Sequence, residues 1–124
     1  MKPKILITND DGILSKGIYA LWEAMKDLGE TFIAAPSIEK SASSHSLTLS
    51  DVIRKKVIER ENGFKGWSIA GTPVDCVKIA TKILMKDKPN ILVSGINQGG
   101  NLGYNIIYSG SVSAAVEGMI MGIP

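Results

Sequence analysis

The sequence predicts an α/β fold with a mainly parallel, doubly wound sheet, and three observations carry that prediction. Short aliphatic runs at residues 4–8, 31–35 and 91–94 are each bounded by turn residues, as strands buried on both faces are. Between them lie apolar residues at helical spacing: Ile18, Leu21, Trp22, Met25 and Leu28, then Val74, Val77, Thr81 and Leu84. Polar stretches at 9–12, 37–46 and 95–111 each follow a strand, at the sheet edge where such folds bind ligands.

The elements follow in order. Lys4-Ile5-Leu6-Ile7-Thr8 is broken at once by Asn9-Asp10-Asp11-Gly12, and the helix after it is expected to end with Gly29 as its C-cap. The second strand stops at Pro36. Residues 37–46 carry five serines with neither helical nor strand period, which is a polar loop. Residues 52–58 and 67–70 form a hairpin across Glu61-Asn62-Gly63, since Asn-Gly between strand-like runs favours tight reversal, and this is an antiparallel excursion from the main sheet. Thr72 as N-cap, Pro73 at the first position and Asp75 in the first turn open the next helix.

After the strand at 91–94 comes Gly95-Ile96-Asn97-Gln98-Gly99-Gly100-Asn101-Leu102-Gly103, a glycine- and amide-rich loop. Ser109-Gly110-Ser111 introduces a small-residue helix at 112–121, where Ala114, Ala115 and Gly118 permit close approach to a neighbour. Gly122 and Pro124 then stop that helix, with a next element expected to start at once.

The 124 residues, 44% hydrophobic, suit one domain spanning 1–124. Fourteen basic against twelve acidic residues leave a net charge of +2 with neither sign in a long run, which argues against a nucleic-acid or membrane-surface partner. The lone Cys76 reads as a small buried apolar residue without a redox role. The N-terminal aliphatic run is too short for a signal peptide or a membrane span, so a cytoplasmic location is expected.

Two adjacent carboxylates, Asp10 and Asp11, raise each other's proton affinity unless a cation lies between them. Taken alone, the pair reads more readily as solvated turn residues. A parallel sheet changes this, because it brings a serine of the second loop, Ser41 or a neighbour, and Asn97 of the third to the same edge. Carboxylate, hydroxyl and amide oxygens form a hard donor set suited to magnesium, manganese or calcium, and with one histidine and one cysteine zinc is a poor fit. Ser109-Gly110-Ser111 ahead of a helix offers hydroxyls and free amides to a phosphate, although Ser111 reads equally well as a plain N-cap. His45 is a candidate to orient a water or protonate a leaving oxygen, against the simpler reading of a solvated loop histidine. Lys16 and Lys40 read as solvated, and Gly99, Gly100 and Gly103 fit no dinucleotide fingerprint.

These blocks together resemble the survival protein SurE family of 5'-nucleotidases. The resemblance rests on Ile5 through Gly12, Ala35-Pro36 with Lys40 through Thr48, Gly71 through Lys78, Val93 through Gly103 and Tyr108 through Gly118, in family order. It implies a Rossmann-like, divalent-cation-dependent phosphatase of nucleoside monophosphates, often broad in substrate, assembled as a dimer or tetramer. By motif, the ligands of one Mg2+ or Mn2+ per subunit fall on Asp10, Asp11, Ser41 and Asn97. Phosphate contacts fall on Asn101, Ser109, Gly110 and Ser111, with Asn9 also in the pocket. The catalytic set is then Asp10, Asp11, Asn97 and Ser109, with His45 as the candidate proton donor. Ser111 stands where the family usually has threonine, which keeps the hydroxyl. Family members run to about twice this length, so 1–124 is expected to be the N-terminal part of a longer chain, with later strands and an arm for subunit exchange beyond it.

Two other functions compete. An aspartyl-phosphate phosphatase with Asp10 as nucleophile wants an acid two residues on, where this chain has Gly12. A nucleotide-binding module without turnover is the third reading.

Overall fold

The computed structural model describes residues 2–37, 55–96, 118 and 122–124. Five strands, β1 (Lys4–Thr8), β2 (Glu30–Pro36), β3 (Lys55–Glu59), β4 (Lys65–Ile69) and β5 (Ile91–Ser94), form one sheet in the order β3-β4-β2-β1-β5. β1 pairs in parallel with β2 and β5, and β2 in parallel with β4. β3 and β4 make the expected antiparallel hairpin, and through Ala34 opposite Trp67 that hairpin is joined to the main sheet. The doubly wound α/β architecture is therefore present, with β3 as its antiparallel edge.

The sheet separates two apolar cores because side chains alternate across a strand. Ile5 and Ile7 of β1 and Ile33 of β2 face α1 (Lys16–Met25), where they meet Ile18, Leu21, Trp22 and Phe64. Leu6 and Ala34 face the other way, toward Cys76, Val77, Ile79 and Ala80 of α2 (Pro73–Ile79) and the π-helical turn that continues it, Ala80–Leu84. Burying aliphatic groups on both faces contributes about 25 cal/mol for each Å² removed from water, which is what holds a strand as apolar as Ile5-Leu6-Ile7 in the middle of the sheet.

Each helix differs in detail from its periodicity. α1 starts at N-cap Ser15, whose Oγ accepts from the Ile18 amide, and it ends at Met25 with Lys26 as C-cap. Gly29 is thus not the cap. It lies against Pro3, where an added Cβ would overlap the Pro3 carbonyl oxygen. Leu28, read as part of the buried stripe, lies beyond the helix and is 61% exposed. On α2 the buried face is Pro73, Asp75, Cys76, Val77 and Ile79, while Val74 and Thr81 are half-buried.

The start of α2 is as the sequence predicts. Thr72 Oγ1 accepts from the Asp75 amide at 3.2 Å and the Asp75 carboxylate accepts from the Thr72 amide at 3.0 Å, a complete capping box. Thr72→Ala is expected to cost about 1 kcal/mol, lowering the thermal midpoint by about 4 °C, as measured by calorimetry. Cys76 is fully buried, and its thiol is pushed well above the usual range, first by burial and then by the Asp75 charge, which keeps it protonated and inert. Among the described residues, no helix is long and apolar enough to cross a membrane.

Candidate functional site

The strand order locates the site. From β1 the chain steps outward through β2 to β4, then returns to place β5 on the opposite side of β1. Strand order therefore reverses between β1 and β5, and in open α/β sheets the crevice beyond the carboxyl ends at such a reversal is where ligands bind. Asn9-Asp10-Asp11-Gly12 leaves β1 at that crevice, and the segment leading to Asn97 leaves β5 beside it. The Gly95 amide donates to the Thr8 carbonyl at 3.0 Å, continuing the ladder up to the edge.

The turn that presents the two aspartates is held by side chains from below and from one flank. Asn9 is fully buried; its amide nitrogen donates to the Gly12 carbonyl at 2.9 Å and to Ser15 Oγ at 2.8 Å, and its oxygen accepts from the Gly12 amide at 3.2 Å. Both of the amide's N–H donors are used within the turn. Gly12 has φ 106°, a conformation that L side chains rarely adopt, so the reversal after Asp11 depends on glycine here. The Ile13 amide donates to the Pro36 carbonyl at 2.8 Å, and the Ser37 amide to the Ile69 carbonyl at 3.0 Å. These two bonds tie together the ends of β1, β2 and β4, from which the serine-rich loop departs.

Asp10 and Asp11 sit on this turn half-buried, and both have polar partners. At the ends of their strands, Thr8 and Ser94 lie in register on β1 and β5, so their side chains share one face. Thr8 Oγ1 and Ser94 Oγ are buried and have no hydrogen-bond partner among the described residues. A buried hydroxyl without a partner costs about 1–3 kcal/mol, and such orphaned oxygens at a strand reversal are what a bound polar group would satisfy. Among the described residues there is no cluster of three His, Cys, Asp or Glu side chains able to hold a metal ion. The two carboxylates, with hydroxyl or amide oxygens beside them, would suit a hard cation such as magnesium or manganese.

Of the predicted site residues, Asn9, Asp10 and Asp11 are brought to the crevice. Ser41, His45, Asn97, Asn101, Ser109, Gly110 and Ser111 lie outside the described residues. Gly17 of α1 marks how closely the third loop approaches: a Cβ there would overlap the Ile96 carbonyl oxygen, immediately before Asn97. Sequence reasoning missed three residues. Thr8 and Ser94 carried a faint signal, as hydroxyls closing otherwise aliphatic strands. Arg60, whose guanidinium donates to the Ile13 and Ser15 carbonyls at 3.1 and 2.9 Å, carried none. A separate cleft of about 410 Å³, lined by Trp22, Phe32, Val57, Lys65 and Trp67, opens between β2 and the hairpin.

A mainly parallel sheet covered on both faces, with an acidic turn at its strand reversal, defines the class: a Rossmann-like α/β protein. The family model described as survival protein SurE matches residues 5–124, and the chain belongs to the SurE family. It is 51% identical over 122 residues to a 5'-nucleotidase SurE of Solidesulfovibrio magneticus, covering 98% of this chain and 48% of that protein. It is 49% identical to the protein of the same name from Chlorobium limicola, covering 98% and 47%. The crystal structure of the SurE protein from Aquifex aeolicus matches with a TM-score of 0.80 at 45% identity, over 98% of this chain and 48% of that one. The chain spans about half the length of the curated relatives it matches.

Proposed function

We propose that this chain carries the cation-binding part of a 5'-nucleotidase, which hydrolyses nucleoside 5'-monophosphates with a divalent metal ion. The observation that carries the reading is the placement of Asp10 and Asp11 at the strand reversal between β1 and β5, where the buried hydroxyls of Thr8 and Ser94 have no partner among the described residues. The names of the relatives support the substrate class.

In this reading Asp10 and Asp11 hold one Mg2+ or Mn2+ together with Ser41 and Asn97. When bound, the cation neutralises charge on the phosphoryl group and supplies electrostatic stabilisation to one of the slowest uncatalysed hydrolyses known. The residues of the chain do the rest. Asn9 acts through the turn, fixing the direction of both carboxylates rather than spending an N–H on the substrate. Asn101, Ser109, Gly110 and Ser111 bind the phosphate oxygens, and donors held in place before the reaction stabilise charge as it builds. His45 is the candidate to protonate the leaving alkoxide. The same reading makes the enzyme cytoplasmic, with a dimeric or tetrameric assembly.

The test is phosphate release from AMP by the intact protein in Mn2+, repeated after EDTA. Activity is expected in Mn2+, to vanish in EDTA and to return when Mn2+ is restored. Activity indifferent to EDTA would reject the cation, and a phosphorylated Asp10 trapped during turnover would favour the aspartyl-phosphate mechanism instead.

A further inference from the structure

We propose that Arg60 is a positioning residue for the cation site, acting on Asp10 and Asp11 through the backbone of the turn that carries them. The inference rests on the nucleotidase reading and deepens it. Arg60 lies just after β3, the edge strand, and its side chain is only 16% exposed. Its guanidinium packs over the rings of Tyr19 and Phe64, 4.8 and 5.1 Å from their centroids. From there one terminal nitrogen donates to both the Ile13 and Ser15 carbonyls.

The polar groups of the turn show what that contact adds. The Gly12 amide and carbonyl are satisfied by Asn9, the Ile13 amide by Pro36 and the Ser15 amide by Gly12. The carbonyls of Ile13 and Ser15 are taken by Arg60. Asn9 thus holds the turn from within, while Arg60 anchors its downstream end to the hairpin. Bonds from a charged donor are about twice as strong as neutral ones, so this is the firmer of the two attachments. A planar guanidinium also arrives pre-organised, stacked on Tyr19 and Phe64, which a lysine at the same place does not reproduce. A bound cation needs two carboxylates aimed at one point, and a turn released at its end spreads those directions. Supports one shell removed from a metal commonly change its affinity by 10- to 100-fold.

The hairpin also touches α1 through Asn62, whose amide donates to Tyr19 Oη at 2.7 Å without reaching the turn. Asn62 has φ 61°, so Asn62→Gly removes that bond and keeps the backbone shape. The intact protein, Arg60→Met, Arg60→Lys and Asn62→Gly are compared by calorimetric titration with Mn2+ and by AMP kinetics at saturating Mn2+. Arg60→Met is expected to weaken Mn2+ binding about tenfold, with Arg60→Lys in between. Once Mn2+ saturates, kcat is expected to return to within about twofold of the parent. Asn62→Gly is expected to lower the thermal midpoint and leave Mn2+ affinity unchanged. If the Arg60 variants fold and bind Mn2+ like the parent, or Asn62→Gly weakens it equally, Arg60 is a structural residue and the proposal fails. Should Arg60→Met not fold, Arg60→Lys alone decides in the same way. A parent protein that takes up no Mn2+ overturns the nucleotidase reading itself, and this proposal with it.

Discussion

Asp10→Asn and Asp11→Asn are each expected to reduce Mn2+-dependent phosphate release from AMP by about a thousandfold, with little change in the fold. A cation that neutralises a phosphoryl group contributes several kcal/mol to the barrier, and about 4 kcal/mol corresponds to three powers of ten in rate. Asparagine keeps the shape of each side chain and removes the charge that would hold the ion. The bonds that Asn9, Pro36 and Arg60 make to the turn remain in place in both variants. The metal-free thermal midpoint is therefore expected to move by no more than a few degrees, as for other half-exposed positions. A ligand that binds only the folded state at a hundred times its Kd adds about 2.7 kcal/mol of stability. Melting curves with and without Mn2+ should show that gain in the parent and lose it in both variants. A variant that keeps the Mn2+ shift would remove its aspartate from the ligand set.

The second large effect is at Asn9. Asn9→Ala deletes three hydrogen bonds at once, two of them buried, and takes from the Gly12 amide its partner and from the Gly12 carbonyl and Ser15 Oγ one of two. At about 1 kcal/mol for each bond, the expected loss is about 3 kcal/mol, or about 10 °C in the thermal midpoint. Asn9→Asp keeps the volume but places a carboxylate oxygen against the Gly12 carbonyl, in a buried position beside Asp10 and Asp11. Burial and like charge both disfavour the ionised form, so the new acid would titrate higher in the folded protein than in the unfolded chain. Its destabilisation is then greatest at neutral pH and relieved as pH falls through that raised value. Urea titrations of both variants at pH 5 and pH 7.5 test the sign: Asn9→Asp should recover stability at the lower pH relative to Asn9→Ala. Equal losses at both pH values would mean that the Asn9 pocket is open to water.

Much of this was readable along the chain because it is written locally. Apolar runs of four or five residues ending in Thr8 and Ser94 mark buried strands, and Thr72-Pro73-Val74-Asp75 encodes a helix start within four residues. The boundaries of α1 were less legible. Leu28 fits the helical period, yet the chain must turn at residues 26–29 to bring Glu30 of β2 beside Lys4 of β1, and that demand comes from the sheet. Asn9 shows the same limit on the scale of a single side chain. As a residue type next to two aspartates it suits a phosphate pocket, whereas its observed partners are decided by how the chain folds back at Gly12.

The sequence by itself determined the α/β class, the alternation of strands and helices, the acidic turn after β1 and membership of a recognisable family. Those properties depend on periodicity and on residues close together in the chain, where the physical interactions are short in sequence. Tertiary structure alone decided that β4 joins the main sheet, that strand order reverses between β1 and β5, and that Thr8 and Ser94 stand side by side, their hydroxyls without a partner among the described residues. It also decided that Arg60, 47 residues from Ile13, holds the turn of Asp10 and Asp11. Contacts at that separation leave no local pattern, because their geometry is set only when the sheet and both of its cores have formed.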